Sequence, residues 1–255
     1  MNPVFSLFQL NIQKGCFLPE IIRYVENNPF DVLTLQEVTG GTFSKNGDDT
    51  FTVLKDTLGY EGEMIVDLID QEQKENYFGS AILFSPSVSL LQKREIRPSP
   101  LTYVEIKKHD DWKKIVRSGL ALTVTKDSVP FEVVTTHGAW SNSPYDTPEK
   151  IKQAEVISTH LQALDSPFIF AADLNVVSDT EVIRLYEKYA TNLTKRSALM
   201  NTLNPKIHYV PGLFPAGLAV DFIFASPRIN VKEFALVDSP DLSDHYGLRT
   251  VFEIE

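Results

Sequence analysis

The sequence predicts an α/β (α+β) fold in which two mixed, mostly antiparallel sheets pack face to face with helices outside. Three observations predict it: short β-rich segments recur along the chain, helices are few, and no regular β–α alternation marks a doubly wound parallel sheet. Val4 to Leu10 alternates apolar and polar in places and opens the chain as a strand. Pro19 to Asn27 carries Pro near its start and Ile21, Ile22 and Val25 at helical spacing. Asp31 to Gln36 reads as a buried strand. Gly79 to Ser85, Val88 to Glu95, Leu101 to Lys107, Gly119 to Thr125 and Phe131 to Thr136 follow as strands separated by turn residues. Thr147 caps the next helix, Pro148 fits its first turn, and Ile151, Ala154, Ile157, Leu161 and Leu164 share one face. Pro167 to Ala172 is again a buried strand. Ser178-Asp179-Thr180-Glu181 has the form of a capping box and opens a helix to about Tyr189. Val220 to Ala225, Val231 to Val237 and Tyr246 to Ile254 close the chain as strands. No repeat, linker or low-complexity tract divides it, so residues 1–255 read as a single domain.

Composition limits the function. The 255 residues suffice for a substantial core without staples, and 43% apolar with 23% charged is ordinary for a soluble globular protein. Cys16 is the single cysteine, which excludes an internal disulfide and a thiolate zinc cluster and suits a reducing compartment. Neither a secretory signal nor an apolar run of roughly 18 residues is present, so a cytoplasmic location is expected. The net charge of -10 opposes tight, sequence-independent coating of nucleic acid, whose affinity comes from Lys and Arg. It leaves room for an enzyme that meets phosphate through a bound cation. No obligate protein partner is evident.

Chemistry enters where polar residues end apolar runs, because strand termini in a layered fold are rigid enough to hold side chains in register. Six places qualify: Leu10-Asn11-Ile12-Gln13, Leu35-Gln36-Glu37-Val38, Thr135-Thr136-His137-Gly138, Ala171-Ala172-Asp173-Leu174-Asn175, Ala219-Val220-Asp221-Phe222-Ile223-Phe224 and Leu242-Ser243-Asp244-His245-Tyr246-Gly247. Each alone has a plain explanation as a turn, a solvated carboxylate or a hydrogen-bonded histidine. Asp221, a carboxylate inside an apolar run, needs a partner or a metal, and Asp244-His245 is the strongest single item, with a loop N-cap as its plain alternative. Six unrelated explanations in a row are harder to accept than one shared purpose. Of the other histidines, His160 reads as a surface residue on its helix, His109 as part of a solvated charged stretch, and His208 as unremarkable. The loop from Gly138 to Asp146 offers Trp140 and Tyr145 as a wall beside His137.

Taken in order and spacing, these six segments resemble the endonuclease/exonuclease/phosphatase superfamily, from Phe8 to Gly247. Tyr77 to Leu83 and Arg117 resemble its glycine-containing strand and its basic residue near the phosphate. Ala172 stands where a Gly often precedes the Asp, Val220 where nucleases often carry a basic residue, and Gln13 where some DNA-repair members carry Asp. The resemblance implies a four-layer α-β-β-α sandwich of the DNase I kind and divalent-metal-dependent hydrolysis of a phosphate ester. It implies Mg²⁺ or Mn²⁺ at Glu37, with Asn11 and Asp244 completing the metal region. It implies Asp173, beside Asn175, for orienting or deprotonating water; His245, backed by Asp221, as an imidazolium facing the phosphate; and His137 and Arg117 as further phosphate contacts. Nucleic acid, DNA or RNA, is slightly favoured as substrate over a lipid or small-molecule phosphate such as a sphingomyelin-like or inositol-phosphate compound. A catalytically silent binding protein on the same scaffold is the third reading. It predicts loss of Glu37, Asp173 or His245, and all are present.

Overall fold

The structure, a computed structural model, describes residues 3–101, 106, 109–208, 217–239 and 241–255. Strands are β1 (Val4–Asn11), β2 (Val32–Gly40), β3 (Glu61–Ile69), β4 (Tyr77–Phe84), β5 (Ser89–Ile96), β6 (Gly119–Lys126), β7 (Val129–Thr136), β8 (Phe168–Asp173), β9 (Thr191–Asn192), β10 (Asp221–Ala225), β11 (Ile229–Val237) and β12 (Gly247–Ile254). Helices are α1 (Leu18–Asn27), α2 (Thr50–Leu58), α3 (Pro148–Gln162), α4 (Glu181–Glu187) and α5 (Leu193–Arg196). They form two six-stranded sheets, ordered β11-β12-β1-β2-β4-β3 and β5-β6-β7-β8-β10-β9. Each sheet contains one parallel pair, β1 with β2 and β7 with β8, and α1 and α3 are the crossovers that make those pairs possible.

The period-2 alternation of the central strands decides the layering. Phe5 and Leu7 on β1 pack with Ile169 and Ala171 on β8 and with Phe131 and Val133 on β7, between the sheets. The alternate residues Phe8 and Leu10 face Ile21 and Val25 of α1 and Leu54 of α2. Phe168 and Phe170 face Ala154, Ile157 and Leu161 of α3 and Ile183 of α4. Both faces of these strands are therefore apolar, which is why they read as continuous hydrophobic runs rather than strict alternations. The layer order is helix, sheet, sheet, helix, as the resemblance implied.

Between the sheets the inward stripe changes character along its length. On β1 it runs Phe5, Leu7, Gln9, Asn11; on β7 Phe131, Val133, Thr135 and then His137; on β8 Ile169, Ala171, Asp173; on β10 Ala225, Ile223, Asp221. All the polar ends meet at one edge of the sandwich. Gln9 links the two sheets there, donating from Nε2 to Asp221 Oδ1 at 2.9 Å and to Gln36 Oε1 at 2.9 Å. Gln36 Nε2 in turn donates to Thr135 Oγ1 at 3.0 Å.

Several expectations need correction. β2 does not stop at Gln36; it runs to Gly40 through a bulge between Gln36 and Val38. The cap of α4 is Thr180, whose hydroxyl accepts from Ile183 N, rather than Ser178 at the head of a capping box. α2 and β3 carry no clear signal in the sequence, because residues 50–69 mix single polar residues into both periods. The strand expected over Leu101 to Lys107 lies outside the described residues apart from Leu101 and Ile106. His160 is not a surface residue: it is 9% exposed and its Nε2 lies 2.6 Å from Glu132 Oε1 on β7. No helix among the described residues is long and apolar enough to cross a membrane.

Candidate active site

The polar edge opens into a cleft of about 220 Å³ lined by Asn11, Lys14, Glu37, Phe78, Trp112, Arg117, His137, Trp140, Asp173, Asn175, His208, Asp244 and His245. Of the nine residues singled out from the sequence, only Asp221 is absent from the lining, and it lies immediately beneath, bonded to His245. Distant stretches therefore do converge on one cavity.

Four non-glycine residues at this mouth have left-handed backbone: Gln13 (φ 47°), Lys14 (φ 56°), Glu37 (φ 57°) and Asn175 (φ 54°). Each costs on the order of 1 kcal/mol or more, and such strain concentrates where side chains must be aimed. At Glu37 the cause is the bulge: the extra residue in β2 turns the carboxylate out of the pleat and into the cleft. Glycine is required at Gly138, where a Cβ would collide with the Leu174 carbonyl. That close approach lets Gly138 N donate to Asp173 O at 2.7 Å and seats His137 beside Asp173.

Asp173 is held from three directions. Its Oδ2 accepts from Asn11 Nδ2 at 3.0 Å, its Oδ1 accepts from Asn175 N at 3.0 Å, and His137 Nε2 lies 3.4 Å from Oδ2. Burial pushes its carboxyl up to about 7, with the neighbouring Asp221 adding to the rise and His245 opposing it. Asn11 also accepts at Oδ1 from Gln13 N at 3.0 Å, so both halves of its amide are oriented. Asn175 Nδ2 donates to Gly138 O at 3.0 Å. The loop bearing Trp140 is fastened by Lys150, whose ammonium donates to the carbonyls of Ser143, Tyr145 and Asn175. Tyr145 itself is exposed and does not line the cleft, whereas Trp140 does.

His245 Nδ1 sits 2.9 Å from Asp221 Oδ2, and both are buried. Burial alone would lower the imidazole, but Asp221 foremost, then Asp173 and Asp244, hold it well above its ordinary value, which favours the charged ring. His137 goes the other way. Burial and the positive Arg117 and His245 keep it well below the ordinary histidine range, leaving a neutral ring whose Nδ1 has no hydrogen-bond partner. Arg117 is buried with its guanidinium 4.4 Å from the centre of the Phe78 ring. It stands 4.0 Å from Asp67 without a hydrogen bond, and its Nε and Nη1 are unpartnered.

Glu37 contrasts with these. No hydrogen bond or ion pair to its carboxylate exists among the described residues, and burial pushes its carboxyl up, with the like charge of Asp244 contributing and Lys14 opposing. An unpartnered carboxylate next to a second carboxylate is what a hard divalent cation would relieve. Asp244 is oriented for the same space: Gln13 Oε1 accepts from its backbone N at 3.2 Å, and Ser243 Oγ donates to its Oδ1 at 3.2 Å. Asp173, Asp221 and His245 also bring ligand atoms within 4.8 Å of one another. There, however, a cation would have to displace the His245–Asp221 bond, so Glu37 and Asp244 fit it better.

Four cleft residues give little sign of themselves in the sequence. Lys14, whose ammonium lies 4.2 Å above the Trp112 ring, and Trp112 itself come from short 3₁₀ turns that leave no periodic signal. Phe78 lies in the segment from Tyr77 already noted. His208 is unremarkable in the sequence, yet its ring centre is 6.3 Å from that of His245. The side chain of His109 lies outside the described residues.

With this geometry in place, the comparisons are consistent. The sequence profile of the Endonuclease/Exonuclease/phosphatase family matches residues 8–245, and the chain belongs to that family. Membership indicates a phosphoester hydrolase. Among solved structures, the human nocturnin catalytic domain with bound sulfate anion aligns with TM-score 0.70 at 20% identity, covering 99% of this chain and 94% of that one. Zebrafish (D. rerio) TDP2 complexed with a single-strand DNA product gives 0.71 at 19% identity, covering 99% and 100%. The Bacteroides thetaiotaomicron mannosyl-6-phosphatase Bt3783 gives 0.69 at 15% identity, covering 96% and 98%. No curated protein sequence matches significantly.

Proposed function

We propose that this protein is a divalent-cation-dependent phosphodiesterase acting on nucleic acid. One observation carries the reading: the buried His245 ring, its Nδ1 2.9 Å from Asp221 Oδ2, faces the same cleft as the unpartnered Glu37 carboxylate. In this reading Glu37 and Asp244, with the second lone pair of Asn11 Oδ1, hold Mg²⁺ or Mn²⁺. When bound, the cation neutralises phosphate charge and acts as a Lewis acid.

The chain's own groups do the rest. Asp173, raised toward neutrality, is basic enough to take the proton of an attacking water and is fixed by Asn11 and Asn175 while it does so. His245 donates from Nε2 to the oxygen on which charge develops, and Asp221 keeps the ring oriented and charged. Neutral His137 and the under-bonded guanidinium of Arg117 add contacts to the non-bridging oxygens. A fold shared with zebrafish TDP2 carrying single-strand DNA supports the nucleic-acid substrate. The acidic chain, net -10, and the fold shared with a mannosyl-6-phosphatase support a small phosphate ester as the second reading.

The test is turnover of single-stranded DNA, RNA, bis-p-nitrophenyl phosphate and sugar phosphates, each with Mg²⁺, Mn²⁺ or EDTA. We expect cleavage of nucleic acid that EDTA abolishes and added cation restores. Activity that persists in EDTA overturns the cation assignment, and turnover confined to small esters overturns the nucleic-acid substrate.

A further inference from the structure

Two residues of α3, Lys150 and Gln153, lie one turn apart and are both buried. Between them they bind both arms of the loop that follows His137. Gln153 holds the first arm. Its Oε1 accepts from Ala139 N at 2.8 Å, and its Nε2 donates to Thr136 Oγ1 at 2.9 Å and to His137 O at 3.0 Å. Lys150 holds the second arm and the strand end beyond it, donating from Nζ to Ser143 O at 2.7 Å, Tyr145 O at 3.2 Å and Asn175 O at 2.9 Å.

A lysine this deep is rare unless its charge is met, and here three carbonyl oxygens meet it at hydrogen-bond distance. An ammonium has three N–H donors and no acceptor, so the three carbonyls use it completely. The neutral amine has two donors and a lone pair. It would leave one of these carbonyls without its donor, which is unfavourable in a buried place. The arrangement therefore needs the charged form. Burial nevertheless pushes Lys150 down from 10.5 to about 8, with Asp173 of β8 and Asp146 of the loop opposing the fall. The cation is present below that value and is lost as pH rises through it.

Among the three acceptors, Asn175 reaches the cleft. Its backbone is left-handed, with φ 54°, a conformation that persists in a non-glycine residue only where its surroundings hold it. Its N donates to Asp173 Oδ1 and its Nδ2 to Gly138 O, each at 3.0 Å. Lys150 grips the carbonyl of the same residue. Released there, Asn175 can leave the left-handed region and take its N–H away from Asp173.

We propose that Lys150 is a positioning residue: by gathering the carbonyls of Ser143, Tyr145 and Asn175 around one ammonium, it holds Asn175 against Asp173 and fixes the loop that carries Trp140. Lys150 acts through Asp173, so its role rests on the hydrolase reading above and deepens it.

The whole protein is assayed with Mg²⁺ and bis-p-nitrophenyl phosphate, and kcat and KM are measured across the pH at which Lys150 loses its proton. In wild type kcat should fall as pH rises through about 8. Lys150→Met should lower kcat below that point about tenfold or more, the scale of a misplaced reacting group. KM should hardly change, because Lys150 does not line the cleft, and the fall through 8 should vanish. Lys150→Gln keeps one donor and should lose less rate but the same fall, which guards against misfolding of the methionine variant. Gln153→Leu frees the other arm without removing a titrating group, so it should scale the profile down and keep its shape. A merely structural role for Lys150 would do the same. Wild-type kcat in both Lys150 variants, a fall that survives in them, or a wild type without the fall overturns the proposal.

A second readout needs neither substrate nor cation. With Trp112→Phe as background, acrylamide quenching of Trp140 should rise when Lys150→Met is added. If wild type does not hydrolyse the diester but quenching rises, the hydrolase reading fails and the hold on the loop stands. If the diester turns over while neither kcat nor quenching responds to Lys150, the positioning role fails alone.

Discussion

Carboxylates on the two sheets are furnished differently. On the second sheet Asp173 accepts from Asn11 and Asn175, and Asp221 accepts from Gln9 and lies against His245, so each oxygen has a partner. On the first sheet Glu37 has no hydrogen bond among the described residues, and Asp67 has one, to Ser118 N at 2.8 Å, with its Oδ2 left bare. Under the proposed function, the difference separates two kinds of work. A carboxylate that moves or steadies a proton must be oriented before substrate arrives. One that meets a cation is better left open until the charge comes.

The largest expected effect falls on the partnered side. Asp173→Ala or His245→Ala should lower turnover at least about a hundredfold, the scale of losing an acid–base or charge-stabilising group. Rates near wild type in steady-state assays would erase the distinction.

Glu37→Gln probes the open side. Removing a desolvated, unpartnered carboxylate should raise the melting temperature of the cation-free protein. It should also abolish the rise that Mg²⁺ gives wild type, which at a hundredfold excess over Kd is about 2.7 kcal/mol, or roughly 5 to 10 °C for a chain of this size. A variant still stabilised by Mg²⁺ in a thermal-shift titration would place the cation elsewhere.

The smallest effect on activity, and the clearest on stability, belongs to Asp67. Burial pushes its carboxyl from 3.8 up to about 7, despite Arg117. In the unfolded chain it ionises near pH 4, so between there and pH 7 the folded state binds the extra proton. The stability it contributes is present below pH 4 and lost as pH rises through 7, up to about 4 kcal/mol at 1.36 kcal/mol per unit. Denaturant unfolding of Asp67→Asn should lack that decline; parallel curves for the two proteins would show that Asp67 is not held in its acid form.

Much of this was legible from the sequence, for a physical reason. Strands buried on both faces must be apolar throughout, so Asp173, Asp221 and His137 stand out against Phe168 to Ala172, Phe222 to Ala225 and Phe131 to Val134. The bulge at Glu37 was not legible, because one extra residue in a strand changes no composition. Lys14 and Trp112 were invisible because the turns that carry them have no period, and His160 misled because its partner Glu132 is 28 residues away in sequence. Pairing across the fold is a tertiary fact, and a helix face shows only half of it.

The bridge from Gln9 through Gln36 to Thr135, with its branch to Asp221, has a mechanical side. Two greasy layers in contact resist separation but not sliding, because apolar attraction has no direction. Hydrogen bonds do have direction, and these pass from one layer to the other directly below the cleft. They act as a dowel: the distance from Glu37 on one plate to Asp173 on the other becomes a property of the frame rather than of whatever happens to occupy the gap.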